Sequence, residues 1–284
     1  MQDSVSRVLL IVNLHKENAR LLMKEITDTL QSRGISVTIC SFEGKPIAPP
    51  EGHYDLAFSL GGDGTVLYAA RCLAERGIPI LPIHLGTLGF IASVQRTEWL
   101  SVFEAYQSGK YTSSSRLMLD IRVERNGVLI SKHSCLNDAV VAGTGISKII
   151  RLTVRTESIR FGVYRADGLI VATPTGSTAY SVAAGGPIVD PEIDAIILNP
   201  VCPFTLSNRA IVFPAHETVI VDVEKEQRSD VLLTVDGQIV EPLLPGDVIK
   251  VHRTRRKAII IASDRNVFYT VLRTKLNWSG GPDA

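Results

Sequence analysis

The chain has 284 residues, of which 45% are hydrophobic and 21% charged, with a formal net charge of +1. That length supplies one large domain or two medium ones with ample core, and the composition is far from that of a disordered chain. The charge balance gives no reason to expect nucleic acid or an acidic membrane surface as a partner.

The N-terminal third alternates between apolar runs and helical periodicity. Residues 8–12 read as a buried strand, a run too short for a secretory signal. Residues 17–33 read as a helix, with Leu22, Ile26 and Leu30 on one face and Gly34 as its stop. Residues 36–40 and 56–60 read as strands, the latter running directly into Gly61-Gly62. Residues 65–76 read as a second helix closed by Gly77, and residues 80–83 as a fourth strand. Strands alternating with helices predict βαβ units, with ligands at the carboxyl ends of the strands.

The character changes after about residue 105, where strand and turn signals take over. Asn126-Gly127 between apolar runs at 121–123 and 128–130 predicts a hairpin. Asp236-Gly237 between 232–235 and 238–240 predicts another. Residues 219–223 and 258–262 also read as strands. Residues 268–278 place Phe268, Val271, Leu272 and Leu276 at helical spacing. The expected architecture is α/β plus all-β. An open α/β domain takes 1–105 together with about 264–284, and a β-rich domain takes 106–263.

No apolar stretch approaches the roughly 20 residues of a membrane helix, so a cytoplasmic protein without membrane partners is expected. Cys40, Cys72, Cys135 and Cys202 are scattered with no C-x-x-C spacing, which reads as reduced thiols rather than a disulfide framework. The six histidines show no metal-ligand spacing, and no protein-held metal site is expected. The basic run His252-Arg253-Thr254-Arg255-Arg256-Lys257 reads as a solvated hairpin tip.

Gly61-Gly62-Asp63-Gly64-Thr65 is the sharpest motif. Glycines at a strand-to-helix junction let the backbone approach a phosphate and adopt positive φ, and a helix start presents N–H groups to an anion. Gly61, Gly62, Gly64 and Thr65 thus form a candidate phosphate cradle. Asp63 would repel a phosphate, which makes sense if it faces an acceptor hydroxyl or a metal ion. The plainer alternative is a tight turn with Asp63 or Thr65 as helix N-cap. Neither G-x-x-x-x-G-K-[ST] nor G-x-G-x-x-G occurs.

A second cluster, Thr173-Pro174-Thr175-Gly176-Ser177-Thr178-Ala179-Tyr180-Ser181, follows an apolar strand at 169–172. Its hydroxyls and amides suit phosphate, ribose or base edges, and equally suit a capped helix start. Asn137-Asp138 offers an adenine-edge and a ribose-hydroxyl partner, or a simple turn. Arg165-Ala166-Asp167-Gly168 also fits a hairpin turn.

Taken in order, these motifs resemble the NAD kinase family. The resemblance rests on G-G-D-G-T at 61–65, L-G-T-L-G-F at 85–90, N-D at 137–138 and R-A-D-G at 165–168. T-P-T-G-S-T-A-Y-S at 173–181, G-G-P-I at 185–188 and V-D-G-Q at 235–238 complete it. G-G-D-G-T alone is shared with lipid kinases and phosphofructokinases; the combination is specific.

The resemblance implies NAD bound at the junction of the two domains, and Asp63 as proton acceptor for the 2′-hydroxyl of the adenosine ribose, with Gly64 beside it. It implies contacts to the adenosine half from Asn137 and Asp138, and contacts to NAD from Arg165 and Asp167. Thr178, Ala179, Tyr180, Ser181, Val182 and Ala183 would line the dinucleotide site, with Gln238 nearby and Lys148 at a variable contact position. It further implies ATP, another nucleoside triphosphate or polyphosphate as donor, Mg²⁺ or another divalent cation, and a homodimer or homotetramer. Asp138 stands where many members have Glu, and Phe204 where many carry His. Phosphoryl transfer passes through a loose transition state governed by positioning and charge neutralisation, so an aspartate suffices to take the hydroxyl proton late in transfer. A lipid kinase would need a basic amphipathic surface that the sequence does not show. A non-catalytic nucleotide sensor would not need Asp63.

Overall fold

The structure, a computed structural model, describes residues 5–276 apart from 112, 146–148, 206–208 and 228. The chain divides into two compact units, Met1–Arg116 with Arg256–Ala284, and Leu117–Arg255.

The first unit opens with β1 (Arg7–Asn13), α1 (Ala19–Ser32), β2 (Ser36–Phe42), β3 (Leu56–Gly61) and α2 (Asp63–Leu73). It continues through β4 (Ile80–His84), β5 (Val94–Gln95), α3 (Trp99–Gln107) and β6 (Ser113–Arg116). The second unit holds β7 (Leu119–Arg125), β8 (Val128–Cys135), β9 (Asp138–Gly143), β10 (Ile150–Arg155), β11 (Arg160–Ala166) and β12 (Gly168–Ala172). After the short α4 (Tyr180–Ala183) come β13 (Ala195–Val201), β14 (Ile211–Pro214), β15 (Val219–Val223), β16 (Val231–Val235), β17 (Ile239–Leu243) and β18 (Val248–Arg253). The chain then re-enters the first unit as β19 (Ala258–Ile261) and α5 (Arg265–Leu276).

The first sheet runs β2-β1-β3-β4-β19-β6, with β5 alongside β4. All its pairings are parallel except β19 with β6. Residues of β1 and β3 are buried on both faces, which is why they read as continuous apolar runs rather than alternating ones. One face packs Val8, Leu10, Val12, Leu56, Phe58 and Leu60 against Leu22, Ile26 and Leu30 of α1 and Trp99, Val102 and Phe103 of α3. By strand alternation the other face carries Ala57, Ser59 and Gly61, and α2 buries Val66, Ala69, Ala70 and Leu73. α5 buries Phe268, Val271 and Leu272, with the Phe268 ring 6.4 Å from that of Phe90.

The second unit is a sandwich of two six-stranded antiparallel sheets, β11-β10-β15-β18-β7-β8 and β14-β13-β12-β9-β16-β17. Alternate residues of both sheets fill its core, among them Leu119, Ile121, Val123, Val219, Val221, Val223, Val231, Leu233 and Val235. Both expected hairpins form. Asn126 and Gly127 have φ 51° and 78°, and Asp236 and Gly237 have φ 51° and 65°, the left-handed pair that such turns require.

Three expectations differ from the structure. The first unit runs to Arg116 and resumes at Arg256, rather than ending at 105 and resuming at 264. β6 and β19 pair with each other, and β19 also with β4. The buried Arg116 guanidinium adds a tie by donating to the carbonyl and hydroxyl of Ser263. The basic run at 252–257 is no hairpin tip: β18 pairs in the sandwich and β19 in the first sheet, so the run links the two units. Ala166-Asp167-Gly168 is no hairpin turn either, because β11 and β12 lie in different sheets. All four cysteines are free, and no helix among the described residues is long and apolar enough to cross a membrane.

Candidate active site

In the first unit the glycine turn sits at the carboxyl end of β3, where α/β sheets bind ligands. Gly61 pairs with His84 at the end of β4. Asp63 opens α2, but the helix has no side-chain cap, so the N-cap alternative fails. The Asp63 carboxylate turns instead to the loop after β4. Its Oδ2 accepts the Phe90 amide at 2.9 Å, and its Oδ1 accepts those of Ile91 at 3.1 Å and Ala92 at 2.8 Å. Three consecutive amides therefore fix the carboxylate, and an ionised carboxylate with two lone pairs on each oxygen keeps room on Oδ2 for one further donor.

Two glycines make this geometry possible by having no side chain. A Cβ on Gly89 would lie 2.6 Å from Asp63 Cγ and 2.8 Å from Oδ2. One on Gly61 would lie 2.8 Å from Thr65 Cβ. None of Gly61, Gly62 and Gly64 has positive φ, which corrects the expectation that the turn needs left-handed backbone. Gly64 is exposed, Gly62 half-buried, and Thr65 buried beneath the turn.

In the second unit Asn137 and Asp138 lead into β9, whose neighbours are β12 and β16. Asp138 is 4% exposed; burial, and then the nearby Asp236 charge, push its carboxyl up to about 7. The Asn137 carbonyl accepts the Thr173 amide at 2.8 Å, and a Cβ on Gly176 would lie 2.7 Å from Asn137 Cα. Asn137 Oδ1 is buried without a partner, an acceptor available to a ligand. Thr175 Oγ1 is likewise buried and unbonded.

Most hydroxyls of the Thr/Ser segment are spent on the protein itself. Thr173 Oγ1 donates to the Leu136 carbonyl at 2.5 Å and accepts the Gly176 amide at 3.0 Å. Ser177 Oγ bridges the amide and carbonyl of Val189 at 3.0 and 3.2 Å, and Thr178 Oγ1 donates to the Thr175 carbonyl at 3.2 Å. Ser181 is buried, with its carbonyl accepting Asn199 Nδ2 at 2.9 Å. The residues that reach solvent are Tyr180 and Ala183, with Thr178, Ala179 and Val182 half-buried. Gln238 is exposed beside Asp236. Arg165 stacks its guanidinium 4.9 Å from the centroid of the exposed Phe204 ring, a contact made by the ring itself. Asp167 is half-buried, its amide donating to the Val201 carbonyl at 3.0 Å. Lys148 lies outside the described residues.

The structure thus gathers Gly61, Gly62, Asp63, Gly64 and Thr65 in the first unit. It gathers Asn137, Asp138, the 173–183 segment and Gln238 in the second, with Arg165 grouped instead with Phe204. Sequence reasoning passed over two contributors, the 89–92 loop that holds Asp63 and the Asp236 carboxylate. The only sequence signal for the first was the paired glycine in L-G-T-L-G-F. The second was hidden because Asp-Gly is explained by its turn alone.

Comparison with known proteins gives a consistent result. Residues 47–111 match the ATP-NAD kinase N-terminal domain and residues 136–263 the ATP-NAD kinase C-terminal domain. The chain is 42% identical over 277 residues to the NAD kinase of Treponema denticola, covering 97% of this chain and 98% of that one. It is 36% identical over 282 residues to that of Geobacter sulfurreducens, covering 96% and 99%. Yeast NADH kinase complexed with NADH superposes with a TM-score of 0.86 at 25% identity, covering 98% of this chain and 90% of that one. An Archaeoglobus fulgidus NAD kinase in complex with ATP shares the fold, with a TM-score of 0.74 at 24% identity over 94% and 97% of the two chains.

Proposed function

The chain belongs to the NAD kinase family and transfers a phosphoryl group to the 2′-hydroxyl of the adenosine ribose of NAD, making NADP, and we propose that Asp63 is the group that receives the hydroxyl proton. The observation that carries this role is the three-amide grip on Asp63. It fixes the carboxylate and leaves Oδ2 able to accept one further donor, so a hydroxyl docked there is oriented before transfer begins. The proton leaves for Asp63 as the new P–O bond forms and the donor's bridging bond breaks, with positioning supplying most of the rate.

Gly61, Gly62, Gly64 and Thr65 are assigned to the donor phosphates. Asn137, Asp138, Tyr180, Arg165, Asp167 and Gln238, with the backbone of 178–183 and with Lys148, are assigned to NAD. The unbonded Oδ1 of Asn137 supports this, as an acceptor suited to an adenine amino group. ATP is the proposed donor. Among the described residues no cluster of His, Cys, Asp and Glu is assembled to hold a metal ion. A divalent cation entering with the triphosphate, as part of a magnesium–nucleotide substrate, is part of the same proposal. A cytoplasmic homodimer or homotetramer completes the reading.

The test is to incubate the purified protein with NAD, ATP and Mg²⁺ and to follow NADP with an NADP-specific dehydrogenase. Asp63→Asn lowers turnover by roughly 10²–10⁴-fold. Near-normal turnover in a folded Asp63→Asn protein would sink the assignment of the base. Product with polyphosphate but not ATP would replace the donor.

A further inference from the structure

Asp236 sits at the tip of the β16–β17 hairpin, closed by the Gln238 amide on the Val235 carbonyl at 2.9 Å. Asn-Gly serves such a turn as well as Asp-Gly does, and loop tips ordinarily lie at the surface. Asp236 is instead 7% exposed. Its Oδ1 accepts the amides of Asn137 at 2.8 Å and Asp138 at 3.3 Å, and its Oδ2 accepts that of Leu136 at 3.2 Å. Its own amide donates to the Asp138 carbonyl at 2.9 Å. A buried carboxylate has thus been placed where three consecutive amides converge, the same device that holds Asp63.

We propose that Asp236 is a positioning residue for the dinucleotide: its carboxylate sets the 136–138 segment so that Asn137 and Asp138 meet NAD in one fixed geometry. The inference rests on the assignment of Asn137 and Asp138 to NAD. It adds a residue that touches no substrate yet decides how those two do. Its charge has a second consequence. Burial and then Asp236 hold the Asp138 carboxyl up at about 7. The other elements packed on Asp138 bring uncharged groups to it, Ala172 of β12 in register and Thr173 beyond it, with Val235 of β16 preceding Asp236. Asp138 therefore changes charge near neutrality, with burial the larger cause and the Asp236 charge adding to it.

Asp236→Asn keeps the turn chemistry and nearly the same shape, and removes the charge. Steady-state kinetics of the full chain, with NAD varied at saturating magnesium–ATP between pH 5.5 and 9, separate the effects. The expected result is a KM for NAD raised about tenfold, the low end for a hydrogen bond to a charged group. The change in kcat is smaller, as for lost binding rather than lost transition-state contact. The pH midpoint of kcat/KM for NAD moves to the acid side of 7. Wild-type KM and midpoint overturn the proposal. A raised KM with the midpoint still near 7 overturns it too, since a loosened hairpin moves the first and not the second.

Should the Asn variant not fold, Asp236→Glu carries the test. The charge stays but the three-amide fit is lost, so KM rises and the midpoint holds; an unaltered KM refutes the role. Asp138→Asn distinguishes the two levels of failure. If it leaves KM and the pH profile as in wild type, the assignment of this segment to NAD falls and the inference with it. If it removes the pH step while Asp236→Asn changes nothing, only the role of Asp236 falls.

Discussion

Gly89→Ala reaches Asp63 without touching it. The added methyl would sit 2.6 Å from Asp63 Cγ and closer still to Oδ1. Carbon atoms rest at about 3.5–4.0 Å, so the carboxylate must retreat by about 1 Å. That stretches amide bonds now at 2.8–3.1 Å beyond useful hydrogen-bond length. Each such bond to a charged acceptor contributes about 1.5–3 kcal/mol, and the loss of one or two costs about 2–5 kcal/mol. For a chain of this size that lowers the unfolding temperature by roughly 5–15 °C. A 1 Å displacement of a catalytic group costs about 10²-fold in turnover. Differential scanning calorimetry and NADP formation measure the two effects. Gly86→Ala in the same loop is the stability control, because its methyl would meet nothing within 4 Å and its φ is not left-handed. It should leave the unfolding temperature within a few degrees of wild type. If Gly89→Ala has wild-type turnover and stability, the carboxylate is not held by this loop and the account of Asp63 fails.

Two further predictions concern pH. The Asp138 carboxyl, ordinary in the unfolded chain at roughly 4, titrates at about 7 when folded. The unfolded chain therefore ionises first, and this group's contribution to stability falls as pH rises from about 4 to 7, then levels. Asp138→Asn removes the penalty, so at pH 8 its unfolding free energy exceeds wild type by on the order of 1–4 kcal/mol; chemical denaturation showing equal or lower stability there contradicts this. Asp247 behaves oppositely. Burial raises its pKa, but the paired hydrogen bonds from Arg125 at 2.8 and 2.9 Å, the Leu244 amide at 2.7 Å and the Arg125 charge outweigh that, and the net shift is downward. Its contribution is complete above about pH 4 and lost as pH falls through the lowered value. Asp247→Asn should cost about 1–3 kcal/mol at pH 7 and flatten the acid limb of the stability–pH curve.

Much of the architecture was legible in the sequence because it is set locally. The 22/26/30 stripe of α1, the left-handed Asn126-Gly127 and Asp236-Gly237 turns, and the unbroken apolar runs of β1 and β3 each follow from side-chain spacing or backbone sterics. The order of motifs from Gly61 to Gln238 was enough to point to the family. Domain boundaries were not legible. β6 and β19 are short, and their membership in the first sheet depends on partners more than 140 positions apart, as in Ala258 opposite Arg116.

The sequence by itself determined which residue types were available: a carboxylate among glycines, an Asn-Asp pair, and a run of hydroxyls. Tertiary structure decided what each one does. Asp63 could have capped its own helix, but the loop after β4 turns three amides toward it. The hydroxyls of Thr173 and Ser177 suited a ligand as well as a turn, and they bond the protein because Leu136, Gly176 and Val189 converge on them. Asp236 could have faced water, but residues 136–138, the entry to β9, pass beside its hairpin and supply the amides. A polar side chain bonds whichever partner lies within about 3 Å, and which partner that is depends on packing between segments far apart in the chain.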